Sequence, residues 1–311
     1  REIDFVINEV LSFQEHYRSL PCGQEVTADL ISAILQEAGK FCERVLAPLN
    51  SSGDASGCLW NNGAVTTPPG FKDAFDQYIE GGWLALSQDC DHGGQGLPGS
   101  LSMMIFEMIS SANMAWSLYL ANYLGALPTL SKHASEEQKA LFMPRLISGE
   151  WNATMCLTES HCGSDLGLLR TKATVNADGS YAISGTKIFI TSGEHDLNNN
   201  IIHLVLARLP GAPEGTGGIS LFVVPKYNIN ADGSLGERNL VTCGSIEEKM
   251  GIHGSATCVM NFDGARGFLL GRANRGLQGM FTYMNESRLC TSLQSYAQSE
   301  LSAQAAQAYA K

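Results

Sequence analysis

The sequence has 311 residues, of which 44% are hydrophobic and 16% are charged, a globular composition with length for two or more cores. Its formal net charge of −11 at pH 7, without any run of Lys and Arg, argues against nucleic acid as a partner. No apolar run is long enough to span a bilayer, and the acidic residues 1–4 are a poor signal peptide, so neither a membrane span nor secretion is expected.

Residues 3–151 show the spacing of apolar side chains that is typical of helices, and they predict a helical first domain. Thr27 and Asp29 are candidate helix caps, while Pro48 and the Ser- and Gly-rich residues 51–57 predict a helix end followed by a loop. Residues 103–126 are apolar nearly all round, which predicts a helix buried in the domain centre or at a subunit contact. Apolar positions with helical spacing are Phe5, Val6, Val10, Leu11, Leu30, Ile31, Ile34, Leu35, Phe41 and Val45.

After Trp151 the pattern changes to short β-type runs separated by turns, which predicts a compact antiparallel β domain. The predicted strands are residues 171–175, 181–184, 187–191, 201–208, 219–224 and 258–262. Helical spacing returns from Gly276 through Met280, Met284 and Leu289, and residues 301–310 continue it without a cap. We therefore expect the chain to stop inside a helix and, since it lacks an initiating Met, to lack residues before Arg1.

Cysteine usage indicates the redox environment. The chain has nine cysteines, an odd number spread from Cys22 to Cys290. This pattern favours reduced thiols that are buried as small hydrophobic side chains over a disulfide framework. A reducing, cytoplasmic location is expected.

Two segments carry the strongest functional signal. In residues 155–166, MCLTESHCGSDL, an apolar strand runs into Thr158 and then into a turn with Gly163 and Ser164. Gly163 allows the main chain to approach a ligand, and Ser164 offers a hydroxyl and an amide to an oxygen of a ring edge or a diphosphate. Residues 187–192, KIFITS, offer an aromatic wall and a further hydroxyl. The alternative is that both segments are ordinary core and turn residues of a β domain.

Both segments, in this order and spacing, resemble the acyl-CoA dehydrogenase family, and the resemblance extends over nearly the whole chain. Further similar stretches are residues 80–83 (EGGW), 93–98 (GGQGLP), 136–139 (EEQK) and 249–255 (KMGIHGS). The pairing of residues 48–50 (PLN) with 66–70 (TTPPG) is most similar to the bacterial branch with an extended N-terminus, which includes 3-methylmercaptopropionyl-CoA dehydrogenases.

The resemblance implies an α+β fold with a helical N-terminal domain (1–152), a central antiparallel β domain (153–271) and the first helix (272–311) of a truncated C-terminal helical bundle. It implies FAD as cofactor, contacted by Met155, Leu157, Thr158, Gly163, Ser164, Phe189, Ile190 and Thr191. It implies an acyl-CoA substrate, contacted by Ser164, Asn285, Glu286, Ser287 and Arg288. Phe189 stands where many members have Trp, and Ser160 and Cys162 stand where Pro and Ala are common.

The family reaction removes an α-proton from an acyl thioester while the β-hydrogen leaves as hydride to FAD, which requires a carboxylate base. In some branches this base is a Glu immediately before the Arg that matches Arg288, but here that position is Ser287. Glu286 is one residue further back, and a step of one residue turns a helical side chain by about 100°. Glu286 is therefore a weak candidate, and the base is expected from the part of the C-terminal domain that the chain lacks. From sequence alone, a salt bridge on a helix explains Arg288 equally well.

Other motifs are discounted. Residues 94–99 satisfy G-x-G-x-x-G, but Pro98 lies inside the turn and no βαβ pattern surrounds it, so a Rossmann nucleotide site is not expected. His161 and Cys162 with Cys156, or His195 and Asp196 with His203, lack the paired spacing of metal motifs. No metal site is predicted, and the absence of G-x-S-x-G leaves a Ser hydrolase without support.

The resemblance thus implies an FAD-dependent dehydrogenase of short- or medium-chain acyl-CoA thioesters that passes electrons to an electron-transfer flavoprotein. The resemblance implies a homodimer or homotetramer at full length. The given chain is expected to be inactive alone and to hold flavin weakly, because relatives complete the FAD site with the C-terminal domain of a neighbouring subunit. An acyl-CoA oxidase, or a non-catalytic member that binds flavin or acyl-CoA, remains as an alternative.

Overall fold

The structure is a computed structural model that describes residues 2–20, 23 and 26–310. Arg1 and Cys22, which entered the sequence analysis, lie outside these residues. Among the described cysteines, six free thiols are buried, as predicted, namely Cys42, Cys156, Cys162, Cys243, Cys258 and Cys290, whereas Cys58 is half-buried and Cys90 is exposed. None of the described helices combines the length and the apolar character that crossing a membrane requires.

The first half of the chain is helical. Its helices are α1 (Glu2–Phe5), α2 (Phe13–Ser19), α3 (Ala28–Phe41), α4 (Ala47–Ser56), α5 (Phe71–Glu80), α6 (Gly99–Ala112), α7 (Met114–His133) and α8 (Glu136–Ile147), and a long helix, α9 (Gly276–Tyr309), ends the described chain. Thr27 caps α3 as predicted, since its hydroxyl accepts the Leu30 N–H at 3.2 Å. Asp29 lies in the first turn, where a negative charge complements the helix dipole.

The prediction that Pro48 and residues 51–57 end a helix and open a loop is wrong. Helix α3 continues through a π-helical turn, Cys42–Leu46, directly into α4. Pro48 lies in the first turn of α4, directly after the π-helical turn. At this position the missing N–H of proline does not interrupt the helix. The Ser56 hydroxyl donates to the Ser52 carbonyl at 3.0 Å, so the serines bond within the helix, which ends only at Gly57.

The prediction of a single helix over residues 103–126 is wrong, because these residues belong to two helices, α6 and α7. Asn113 has an extended backbone (φ −155°, ψ 94°) and separates α6 from α7. Its side chain accepts the Trp116 N–H at 3.0 Å and so starts α7, since Asn is among the best N-cap residues. Helix α7 is buried along most of its length, as its uniformly apolar sequence predicts.

The strands are β1 (Leu59–Asn61), β2 (Ala64–Thr66), β3 (Trp151–Cys156), β4 (Lys172–Val175), β5 (Tyr181–Thr191), β6 (Asn200–Arg208), β7 (Ile219–Pro225), β8 (Tyr227–Ile229), β9 (Leu235–Arg238), β10 (Val241–Ile246) and β11 (Thr257–Leu270). Pairs β1–β2 and β8–β9 are separate hairpins. In the main sheet the pairings β11–β5–β4–β6–β7 return from β7 to β11, so these strands form a ring. Most pairs are antiparallel, as predicted, but β6 pairs in parallel with both β3 and β4.

Two hydrophobic cores support this arrangement. The larger core joins the helices to one face of the sheet and includes Trp116, Trp151 and Leu204, while the smaller lies inside the β domain around Ile183 and Phe222. The elements change from helix to strand between the end of α8 and the start of β3, and back to helix between β11 and α9. The division at 152 and 271 stays a prediction about domains.

Candidate functional site

A cavity of about 150 Å³ lies where α7 and α9 meet the ends of β3 and β5. Helix α7 contributes Leu118, Ala121 and Asn122 to its lining, and α9 contributes Ser287, Cys290, Thr291 and Gln294. The strand ends contribute Met155, Phe189 and Thr191. The cavity therefore brings three residues from the predicted flavin set together with Ser287 from the predicted substrate set. We call it the helix–strand cavity.

The two predicted flavin segments are bonded to each other next to this cavity. The Ile188 N–H donates to the Thr158 carbonyl at 2.9 Å, and the Lys187 ammonium donates to the Leu157 carbonyl at 2.9 Å. Leu157 and Thr158 are half-buried, and neither lines the helix–strand cavity. The hydrogen bonds hold the backbone after β3 at a fixed position beside β5.

Glu159 and Lys187 are buried at the centre of this connection, and their side chains lie 2.9 Å apart. Glu159 also accepts the Arg170 N–H at 2.9 Å, the Thr171 N–H at 3.0 Å and the Thr171 hydroxyl at 2.6 Å. Burial raises the pKa of the Glu159 carboxyl, but the Lys187 ammonium and these hydrogen bonds outweigh burial and lower the pKa to about 2. Glu159 is thus a carboxylate that is already fully bonded.

The turn after Glu159 contains Gly163 and Ser164, both exposed and outside the lining of the helix–strand cavity. A Cβ atom at Gly163 would lie 3.2 Å from the Thr158 methyl group, so a larger residue would crowd the strand end. Cys162 is buried and pairs through its backbone with Glu159, whereas Ser160 is exposed.

Phe189 occupies a β-bulge. The register between β11 and β5 shifts between Cys258 and Met260, so that Ile188 and Phe189 together face one residue, and Phe189 has φ +59°. The extra residue turns the Phe189 ring outward, 59% exposed, while Ile190 is 3% exposed inside the β core. Only the backbone of Ile190 can therefore face a ligand.

The residues predicted on α9 divide between two faces of the helix. The Ser287 hydroxyl donates to the Tyr283 carbonyl at 3.1 Å, and Ser287 lines the helix–strand cavity, whereas Asn285, Glu286 and Arg288 do not. Arg288 is exposed, donates to Asn285 Oδ1 at 2.9 Å and lies 5.8 Å from the centre of the Phe281 ring. Within the described residues, Arg288 has no carboxylate partner, so the salt-bridge alternative is not observed.

Sequence reasoning missed the polar residues that close the cavity. The Tyr283 hydroxyl donates to the Asn122 carbonyl at 3.0 Å, and Asn122 Nδ2 donates to the Thr191 carbonyl at 3.4 Å. Gln294 Nε2 donates to the Ser117 hydroxyl at 3.1 Å, and both residues are buried. The only signal for these pairs was a polar residue in an otherwise apolar helix pattern.

Residues 94–99 form a loop that leads into α6, and a turn rather than a strand precedes it, as expected for a chance G-x-G-x-x-G match. The two groups of possible metal ligands have different surroundings. Ligand atoms of Glu159, His161 and Cys162 lie within 4.8 Å of one another, but Glu159 is already paired with Lys187. His203 Nδ1 bonds the Thr154 hydroxyl at 2.8 Å and lies 4.0 Å from the Cys156 sulfur.

Two family models match the chain. The N-terminal domain of acyl-CoA dehydrogenases matches residues 31–150, and the middle domain of the same family matches residues 154–265. The two matched segments follow each other directly along the chain.

Relatives extend the similarity into α9. The chain is 45% identical over 311 residues to the 3-methylmercaptopropionyl-CoA dehydrogenase of Ruegeria pomeroyi, covering 100% of this chain and 53% of that protein. It is 39% identical over 303 residues to a butyryl-CoA dehydrogenase of Syntrophomonas wolfei, covering 94% of this chain and 50% of that protein. The fold matches a crystal structure of an acyl-CoA dehydrogenase complexed with FAD from Bacillus anthracis, with a TM-score of 0.69 and 24% sequence identity. The match covers 88% of this chain and 42% of that one. The chain spans about half the length of the curated relatives it matches.

Proposed function

The chain belongs to the acyl-CoA dehydrogenase family, and from this premise we propose that it forms the flavin- and thioester-facing part of an FAD-dependent acyl-CoA dehydrogenase. The observation that carries the proposal is the helix–strand cavity, which is lined by Phe189 and Thr191 on one side and by Ser287 on the other. The expected substrate is a short- or medium-chain acyl-CoA thioester, with 3-methylmercaptopropionyl-CoA as a specific candidate.

The residues present fit a flavin. Phe189 holds an exposed aromatic ring on a left-handed bulge, a conformation that costs a non-glycine residue energy and concentrates at ligand sites. Next to it, hydrogen bonds from Lys187 and Ile188 to the carbonyl groups of Leu157 and Thr158 hold the backbone in place. A rigid strand end beside an aromatic wall suits a planar polar ring.

FAD, when bound, would accept the hydride that leaves the β-carbon of the thioester. The chain's own residues would position the reactants. Phe189 and Thr191 would bound the space for the ring, and Met155 with the α7 side chains would exclude water from the acyl chain. Exposed backbone and hydroxyl groups at Gly163 and Ser164 would bind the diphosphate or the thioester oxygen.

The α-proton requires a base that the helix–strand cavity does not contain. Glu286 does not line the cavity, and Glu159 is held as a carboxylate by Lys187 and Thr171. We therefore expect the base to come from a part of the whole protein beyond this chain, and we expect the chain alone to hold flavin weakly and to be inactive. This lack of a base also keeps a non-catalytic, flavin- or acyl-CoA-binding member as the second candidate.

The test is a visible absorption spectrum of the full-length protein, before and after anaerobic addition of acyl-CoA thioesters of increasing length. Bleaching of the flavin band by one chain length supports dehydrogenation and identifies the substrate class. A flavin band that no thioester bleaches supports the binding role, and full-length protein without flavin contradicts the proposal. Oxygen consumption without another acceptor would indicate an oxidase, whereas reoxidation only by an electron-transfer flavoprotein supports the dehydrogenase, which we place in the cytoplasm as a homo-oligomer.

A further inference from the structure

A second, larger cavity lies away from the helix–strand cavity. Its volume is about 640 Å³, and it opens between the C-terminal end of α7, the start of α8 and the loop that joins β11 to α9. Volumes of this size are usual for ligand sites. Lys132 on its rim follows Asn122 by ten residues, about 15 Å along α7, so the two cavities lie in different parts of the helix.

Three cations line this cavity: Lys132, Arg272 and Arg275. All three are exposed, and within the described residues their side chains make no hydrogen bond and no ion pair. The chain has a net charge of −11, and other cations such as Lys187 and Arg238 do bond carboxylates, whereas these three converge on one cavity without such a partner. An unpaired basic cluster in an acidic protein indicates a site for an anion.

The acidic residues closest in sequence do not neutralise this cluster. Glu136 and Glu137 begin α8 beside the cavity, but Glu136 bonds Lys139 at 2.8 Å. The Glu137 carboxylate bonds the Ser135 side chain, which lowers its pKa. Neither residue is among those that line the cavity.

The loop before α9 arranges two of the cations for one ligand. The Arg275 N–H donates to the Arg272 carbonyl at 3.2 Å, which closes a tight turn and places both arginines on the same short loop. Helix α9 then starts at Gly276 without a side-chain cap, and a Cβ at Gly276 would overlap the backbone of Ser220 and Leu221. The helix start is thus fixed against β7, and its positive end lies beside the arginines.

We propose that this basic groove, defined by Lys132, Arg272 and Arg275, binds a phosphate or diphosphate group. Guanidinium groups bind phosphate oxygens in a bidentate manner, and a concave, polar surface suits a compact anion better than an extended acidic peptide. The same chemistry fits the nucleotide end of an acyl-CoA molecule and a separate nucleotide. The proposal does not depend on flavin binding or on redox chemistry.

The test is isothermal titration of the 311-residue chain with inorganic pyrophosphate and with ADP at low salt. In the double variant R272Q/R275Q we expect the dissociation constant to rise at least about tenfold, because two charge-assisted bonds are lost. The matched control is Arg44→Gln, which removes an exposed arginine of the π-helical turn far from the groove along the chain. Binding of the parent chain should weaken as salt is added.

Equal dissociation constants in the parent chain, the double variant and the control would overturn the proposal, as would the absence of any binding at low salt. Binding of polyglutamate without binding of pyrophosphate would overturn it too. Competition between CoA and ADP assigns the site to the nucleotide end of the substrate, and ADP binding that CoA does not affect assigns it to a separate nucleotide; both support a phosphate site. Because flavin spectra do not enter these measurements, they succeed or fail separately from the proposed dehydrogenase activity.

Discussion

The ammonium of Lys187 lies 2.9 Å from the carboxylate of Glu159 and 2.9 Å from the carbonyl oxygen of Leu157. One buried cation thus connects the turn after β3 to strand β5, next to the helix–strand cavity. Because the Glu159 carboxylate also accepts hydrogen bonds from Thr171, all parts of this network depend on both charges being present. The pair fixes the backbone on which the proposed flavin contacts lie.

Replacement of Lys187 by Met should destabilise the chain by about 3–5 kcal/mol, because it leaves the buried Glu159 carboxylate without its cation. Replacement of both residues, E159L/K187M, should recover part of this loss because no buried charge remains. Urea unfolding measures the free energy of unfolding. The matched control is Lys40→Met, which breaks the exposed pair with Glu37 and should cost at most about 1 kcal/mol. Equal effects of K187M and K40M would show that the buried pair is not required.

The buried His203 should make the fold sensitive to mild acid. Burial, with Lys226 and Arg238 nearby, lowers its pKa to about 3 from an ordinary value of 6.5. Between these values the unfolded chain binds a proton that the folded chain does not, so the free energy of unfolding falls as the pH falls from 6.5 toward 3, by up to about 1.4 kcal/mol for each pH unit.

His203→Asn should flatten this dependence, because the amide can still bond the Thr154 hydroxyl but does not titrate. Urea unfolding at pH values from 4 to 7 measures the slope of the free energy of unfolding. His16→Asn, at an exposed position, is the control and should keep the slope of the parent chain. An unchanged slope in His203→Asn would assign the acid sensitivity to other groups, of which His195, also with a pKa of about 3, is the first to examine.

Phe189 should be a strained residue. A left-handed backbone costs a residue with a Cβ atom roughly 1–2 kcal/mol, a cost that glycine avoids. We therefore expect Phe189→Gly to be more stable than Phe189→Ala by about 1 kcal/mol in thermal or urea unfolding. Both variants lose the ring, so in the full-length protein both should lose flavin affinity to a similar extent. If alanine is as stable as glycine at this position, the bulge carries no strain.

Local sequence patterns were sufficient to predict many of the helices and strands, but not the geometry around the helix–strand cavity. The apolar runs at residues 201–208 and 219–224 predicted β6 and β7 closely, and one residue type, Thr27, was sufficient to predict the cap of α3. The sequence could not predict the bulge at Phe189, because the bulge arises from the register of β5 against β11, two strands that are far apart in sequence. For the same reason a period-2 pattern could not show that Lys187 and Ile190 both face inward.

The residues that close the helix–strand cavity illustrate a second limit. Gln294 and Ser117 are 177 residues apart, and only the packing of α9 against α7 turns them into a hydrogen-bonded pair. Pro48 and Asn113 show the opposite case, in which one local signal had two meanings. Proline is compatible with a first helical turn as well as with a helix end, and Asn in an apolar run can start a new helix.

The Gln294–Ser117 pair should limit the length of the acyl chain if the helix–strand cavity binds it. Gln294→Ala removes side-chain volume from the lining of a cavity of only about 150 Å³. We expect the kcat/KM of the full-length enzyme to shift toward longer thioesters by about tenfold, because one methylene in a fitted pocket changes discrimination by that order. The control is Gln298→Ala, one helical turn further on, where the side chain bonds Ser110 and does not line the cavity. The same preference in both variants would place the acyl chain elsewhere.

Two glycines in helices should respond to alanine in opposite directions because their surroundings differ. A Cβ at Gly125 of α7 would overlap the ring of Tyr283 on α9, and that ring also holds Asn122 through its hydroxyl. Gly125→Ala should therefore push α9 away from α7 and destabilise the chain by about 1–3 kcal/mol. A Cβ at Gly39 of α3 meets nothing within 4 Å. Gly39→Ala should stabilise the chain by about 0.5–1 kcal/mol, since alanine loses less backbone entropy in a helix.

Urea unfolding of both variants separates packing from helix propensity, because the propensity gain is common to the two sites. Tyr283→Phe tests the contact further. It removes the hydroxyl that bonds Asn122 but keeps the ring, so Gly125→Ala should remain destabilising in that background. If Gly125→Ala were as favourable as Gly39→Ala, α7 and α9 would not be packed as closely as the Gly125–Tyr283 contact requires. The helix–strand cavity, which depends on that packing, would then need a different shape.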